Sequence, residues 1–192
     1  MKTIIVGVSN KHAHLTREQI DVLFGQGYQL TFLRNIKQPD EFVSNETISV
    51  EGPKGTLHGI RVMGPERAKA QVELTLTSSI SIGVDPAVRI SADVENTPAI
   101  KLIGPKGVYD LKEGVIAAMR HLHMNPEEAE ELHLSEGQQV MVESEGPRGL
   151  IFKNVVVRID PMFSLEFHID MDEANAAGLK TGDQVRLINC IL

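Results

Sequence analysis

Four of the seven histidines in this 192-residue chain form two short motifs of one kind. Lys11-His12-Ala13-His14 and Arg120-His121-Leu122-His123 each read basic, His, apolar, His. In an extended strand, side chains at i and i+2 point to one face, so both imidazoles of a pair can reach one metal ion; a helix would not allow this at that spacing. One such pair is weak evidence, but two copies in equivalent places point to a two-site metal centre. The only cysteine is Cys190, which excludes thiolate-rich sites and leaves His and carboxylates as donors. Two His per copy fall short of the three protein ligands usual at a catalytic zinc. Glu73 and His168 are the candidates to complete the sets. Alone, Glu73 reads as an exposed strand carboxylate and His168 as a core or capping histidine. Their matched positions, in Val72-Glu73-Leu74-Thr75 and Leu165-Glu166-Phe167-His168, reverse that. Arg67 stands just before Glu73 and is close enough in sequence to share its site. His58 and His133 have no such partner and read as surface residues. Cys190 reads as a small buried apolar residue.

The chain is 42% hydrophobic, enough for one large domain or two small ones. Its net charge of −7 argues against broad nucleic-acid binding. A single cysteine permits no disulfide within the chain. No apolar run approaches the roughly 20 residues of a membrane span, and the N-terminus lacks the pattern of a signal peptide. The expected compartment is the cytoplasm.

The elements that must carry these residues are short. Thr3 to Val8 reads as a buried strand. Thr16-Arg17-Glu18-Gln19 is a capping box opening a helix that ends at Gly25. Strands are expected over 28–33, 47–50, 140–143, 151–159, 165–169 and 184–188. Helices are expected over 111–119, from the Asn125-Pro126 start to 134, and over 174–179. Segments 83–88 and 93–98 read as loops, and Gln38-Pro39-Asp40 as a turn. Gly52-Pro53-Lys54-Gly55 recurs at Gly104-Pro105-Lys106-Gly107 and Gly146-Pro147-Arg148-Gly149. A basic glycine-rich turn can cradle phosphate, but its repetition favours tight turns between strands. Many short strands with such turns indicate barrels or sandwiches.

The segments after the two His pairs run in parallel: a capped helix, strands, a Gly-Pro-basic-Gly turn, a β-branched strand, then Glu73 or His168. This reads as duplication of one barrel unit, with the stretch from Gly25 to Ser44 extra in the first copy. The expected fold is mainly β with short helices (β+α), as two pseudo-symmetric β-barrels capped by short α-helices. Two His-rich metals and an arginine suit an anion attacking a carbonyl. No Ser–His–Asp or Cys–His pattern suggests covalent catalysis. A dinuclear metallohydrolase resembling a thioesterase, or a duplicated-barrel binding module without activity, fits the same residues.

Longer motifs narrow this. Val6-Gly7-Val8-Ser9-Asn10-Lys11-His12-Ala13-His14-Leu15, Gly64-Pro65-Glu66-Arg67, Gln71-Val72-Glu73, Arg120-His121-Leu122-His123-Met124, His168-Ile169-Asp170 and Asp172-Glu173-Ala174-Asn175-Ala176-Ala177 span nearly the whole chain. With them the chain resembles the phosphate propanoyltransferases, the PduL-type phosphotransacylases. The resemblance implies a discontinuous barrel from 1–10 and 119–192, a second from 11–118 with a two-stranded insert at about 25–45, and an active site at their interface. It implies reversible exchange of acyl-CoA and phosphate with acyl phosphate and CoA, the acyl group being acetyl or propanoyl. It also implies two Zn²⁺ per chain, one on His12, His14 and Glu73, the other on His121, His123 and His168. Arg67 would hold phosphate and stabilise developing charge. Ser9, Arg34, Arg61, Met63 and Asn175 fall where family members contact CoA; Lys and Leu are expected in place of Arg34 and Met63. A homodimer or larger assembly is implied as well. Members packaged in bacterial microcompartments carry an extra N-terminal amphipathic segment. Here the first strand begins at once, so a microcompartment location is expected only if such a segment has been removed.

Overall fold

The computed structural model describes residues 3–36 and 40–188. Gln38, Pro39 and Cys190, and what was expected of them, lie outside the described residues.

In chain order the elements are β1 (Thr3–Ser9), β2 (His12–His14), α1 (Arg17–Phe24), β3 (Phe32–Asn35), β4 (Phe42–Gly52), β5 (Gly55–Gly64), β6 (Gln71–Glu73), α2 (Leu76–Ile82), β7 (Ala87–Arg89), β8 (Ile100–Ile103), β9 (Val108–Leu111), β10 (Val115–Ala118), β11 (His121–Met124), α3 (Pro126–Leu132), β12 (Gln139–Glu143), β13 (Ile151–Ile159), β14 (Glu166–Asp170), α4 (Met171–Ala177) and β15 (Gln184–Ile188). The capping signals work as expected. Thr16 and Gln19 close a capping box on α1, and Asn125 and Glu128 close one on α3. Three expectations fail. The strand expected over 28–33 begins only at Phe32, as β3, because the Tyr28 and Thr31 side chains donate to Glu46 and hold 28–31 off the ladder. The segment 111–119 is not a helix, because Gly114 at φ 140° breaks it and buried Val115 and Ile116 run on as β10. Segment 83–88 is not all loop, since β7 takes its end. One helix goes unanticipated, α2, capped by Thr75 and closed by Gly83 in the left-handed region.

The chain divides into two compact units. Among described residues the first holds 3–10 and 119–188, and the second 11–36 and 40–118. The first unit is a closed six-stranded barrel in the order β1-β14-β11-β13-β12-β15. Ile4, Val6, Leu122, Met124, Val142, Val155, Val157 and Phe167 fill its core.

The second unit is a nine-stranded sheet in the order β7-β10-β6-β2-β5-β4-β8-β9, with β3 also on β4. Leu15, Ile20, Leu23, Val50, Ile60, Val62, Val72 and Leu102 form its core. This sheet is open, which corrects the expectation of two closed barrels. In the first unit β15 closes the ring by pairing with both β1 and β12. In the second, β7 pairs with β10 while β8 pairs with β4 and β9, so among the described residues no strand bridges the edges β7 and β9.

The pairing around the two His strands nevertheless repeats. β2 runs parallel to β5 and antiparallel to β6. β11 runs parallel to β13 and antiparallel to β14. β10 precedes β11 in the chain yet pairs in parallel with β6, and β1 precedes β2 yet pairs in parallel with β14. Each repeat therefore lends its first strand to the other repeat's sheet.

The Gly-Pro-basic-Gly turns join β4 to β5, β8 to β9 and β12 to β13, and each also ties down a helix end. The Lys54 N–H donates to the Ile82 carbonyl at the end of α2 (2.9 Å), and the Lys106 N–H to the Leu23 carbonyl of α1 (3.0 Å). The Arg148 Nε donates to the Ala176 carbonyl of α4 (3.0 Å). The last carbonyls of a helix lack intrahelical donors, and these turns supply them. With those donors committed to helix ends, the turns are structural. Gly52 is required by the close approach, since a Cβ there would lie 2.5 Å from the Ile82 carbonyl oxygen. Gly52→Ala is expected to cost about 1–3 kcal/mol by overpacking, read as a lower melting temperature. An unchanged melt would show that the α2 end can shift without penalty. No helix among the described residues is long and apolar enough to cross a membrane.

Candidate metal centres

Ala13 and Leu122, the apolar residues between the paired histidines, are fully buried in their cores. Strand alternation then turns both imidazoles of each pair to the opposite face. On β2, His12 lies opposite Glu73 of β6 in register, and His14 opposite Gln71. His12 Nε2 stands 3.6 Å from Glu73 Oε2, and the rings of His12 and His14 are 5.1 Å apart. On β11, His121 lies opposite His168 of β14, and His123 opposite Glu166. Ring separations are 4.5 Å for His121–His123, 4.5 Å for His123–His168 and 5.0 Å for His121–His168. In each unit three donor atoms lie within 4.8 Å of one another: His12, His14 and Glu73 in one, His121, His123 and His168 in the other.

The local chemistry suits a cation. His14 Nδ1 is buried without a hydrogen-bond partner, a costly placement for a polar atom unless something else binds there. His121 Nδ1 lies 2.8 Å from the Met119 carbonyl; donating there makes Nε2 the ring nitrogen able to coordinate a cation. Burial, with His12 and Arg67 adding to it against Glu73, pushes the pKa of His14 down to about 2. Burial, then the neighbouring His121 and His168, takes His123 to about 2 as well. Both imidazoles are thus held neutral, the form that ligates metal.

Arg67 belongs to the unit of His12, His14 and Glu73. Its backbone N–H donates to the Leu15 carbonyl, next to His14 (2.9 Å). Its guanidinium pairs with Glu41, a partner invisible in the sequence because it lies far upstream. Arg61 and Met63 of β5 stand in register beside His12 and His14, so they share that face of the sheet. Arg61 donates to the carbonyls of Ser44 (3.2 Å) and Asn45 (2.7 Å). Arg34 lies exposed on β3. In the other unit, Ser9 ends β1 opposite Asp170, the N-cap of α4, and Asn175 is exposed on that helix. Arg120, the basic residue of its motif, is a structural anchor. Its Nε is 3.1 Å from Glu173, whose carboxyl burial pushes up to about 7 against the pull of Arg120. His58 and His133 are exposed, as expected.

Besides Glu41, three neighbours escape the sequence reading. Phe163 stacks on His123 with ring centres 4.0 Å apart. Gln71 and Glu166 sit two residues before Glu73 and His168 on the same strand faces, a spacing that could have found them.

These features define a mainly β protein of two units, each presenting three imidazole or carboxylate donors from paired strands. The family model for phosphate propanoyltransferase matches residues 5–180. A phosphate propanoyltransferase of Thermotoga maritima is 48% identical over 187 residues, covering 96% of this chain and 89% of the relative. One from Listeria monocytogenes is 45% identical over 183 residues (95% and 86%), and one from Enterococcus faecalis 47% identical over 180 (94% and 85%). The chain belongs to the phosphate propanoyltransferase family. That membership makes it an acyltransferase, the class its motifs resemble.

Proposed function

We propose that this protein moves a short acyl group, acetyl or propanoyl, reversibly between CoA and phosphate, with a divalent cation held at each three-donor group. The observation that carries the metal part is the pair of matched groups, each with three donors within 4.8 Å. Imidazole and carboxylate donors without thiolate suit zinc, and accept other divalent metals. Such cations would polarise the thioester carbonyl and stabilise the departing thiolate.

The reaction is a direct displacement. A phosphate oxygen attacks the thioester carbon, the carbon–sulfur bond breaks, and CoA leaves as thiolate to take a proton from water. Arg67 binds the phosphate and offsets charge that builds on the oxygens during attack. Glu41 holds the guanidinium in place for this. Arg34, Arg61 and Met63, and separately Ser9 and Asn175, are the proposed CoA contacts.

Metal removal tests the reading. Protein purified without chelator is expected to carry up to two divalent ions per chain. Stripping them should abolish transfer, and adding zinc back should restore it. Full transfer by metal-free protein would overturn the role of the donor groups.

A further inference from the structure

The two donor groups are not identical. One has two imidazoles and a carboxylate, the other three imidazoles. The residue two positions earlier on the same strand reverses that difference. Glu73 follows Gln71 on β6, and His168 follows Glu166 on β14. Both earlier residues occupy the same register position, Gln71 opposite His14 and Glu166 opposite His123. Both are buried, 2% and 5% exposed. Each touches the donor that follows it. Gln71 Nε2 donates to Glu73 Oε1 (2.5 Å), and Glu166 Oε2 lies 2.8 Å from His168 Nε2, in contact but outside hydrogen-bond alignment.

Each is also held from behind. Gln71 donates to Ser91 Oγ (2.9 Å) and accepts from the Ala92 N–H (2.6 Å). Glu166 fills space that Gly7 of β1 leaves open. A Cβ at Gly7 would come within 3.0 Å of its carboxyl carbon and 3.2 Å of both oxygens. A buried carboxylate is expensive unless positive charge compensates it. A cation held by His121, His123 and His168 would place that charge beside it.

We infer that Glu166 is a positioning residue for His168 and supplies the negative charge its donor group lacks. Each group then has one carboxylate, as a donor in Glu73 and behind a donor in Glu166. The inference rests on the metal reading above. A carboxylate against a ligating imidazole orients the ring and strengthens its donation, and its loss typically weakens metal binding about 10–100-fold.

The test is zinc titration of the stripped full-length protein against a competing chelator. Wild type should bind two ions. Glu166→Gln, nearly isosteric, should bind one as wild type does and the other about 10–100-fold more weakly. The metal-free variant should melt as metal-free wild type does, since Gln fills the same space beside Gly7; a purely structural role would lower that melt. Glu73→His should weaken the other site, and Gln71→Glu added to it should recover binding there. Two ions at wild-type affinity in Glu166→Gln would overturn the inference while leaving the metal reading intact. A wild type that binds no zinc would overturn both.

Discussion

Arg67→Ala is expected to raise the phosphate concentration needed for half-maximal rate, and to lower kcat/KM for phosphate about 100- to 1,000-fold, the usual loss when a preorganised charge-stabilising donor is removed. The reason lies in how the side chain is held. Its backbone is tied to Leu15, its guanidinium to Glu41, and its charge is felt by His14. Arg67 therefore sits beside one donor group without being a donor, so the variant should keep its full metal content. Arg67→Lys should recover only part of the loss, because an ammonium cannot offer two parallel N–H bonds to an anion while also holding Glu41. Steady-state rates at varied phosphate, with metal analysis of the same samples, check this. Unchanged phosphate kinetics would remove Arg67 from its role.

His121→Ala should have the larger effect. Removing an outer partner of a ligand typically weakens binding about 10–100-fold, and removing the ligand itself should exceed that. His121 is committed to the task by its contact with the Met119 carbonyl, which leaves one ring nitrogen toward His123 and His168. The variant is expected to lose one metal ion and its acyl transfer together. Metal analysis and the transfer assay decide it; full metal occupancy would exclude His121 from the donor set.

Much of this candidate site is legible in the sequence. The His pairs were legible because strand alternation fixes which face i and i+2 share. Glu73 and His168 were legible only through the repeat, since cross-strand partners are set by register and leave no local signal. Glu41 was not readable, because only tertiary pairing brings it to Arg67. Glu166 and Gln71 were passed over although the spacing that revealed the histidines applies to them. In the fold, the capping box of α1 and the Asn125-Pro126 start of α3 are local and were found. Helix α2 was not, because its run of Ser and Ile favours strand or turn until buried Ser79 and Ile82 and the Gly83 cap settle it. Barrel closure was misjudged for a similar reason. That several strands follow β6 and α2 can be read from the sequence, but whether the edge strands β7 and β9 meet depends on long-range pairing.

Acyl transfer between CoA and phosphate makes phosphate the obligatory acceptor. CoA release from propanoyl-CoA and acetyl-CoA, with and without phosphate, on protein whose metal content has been measured, tests it most directly. Release is expected only with phosphate present, from protein holding two metal ions per chain. Equal release without phosphate would contradict it by making water the acceptor and leaving Arg67 without its task.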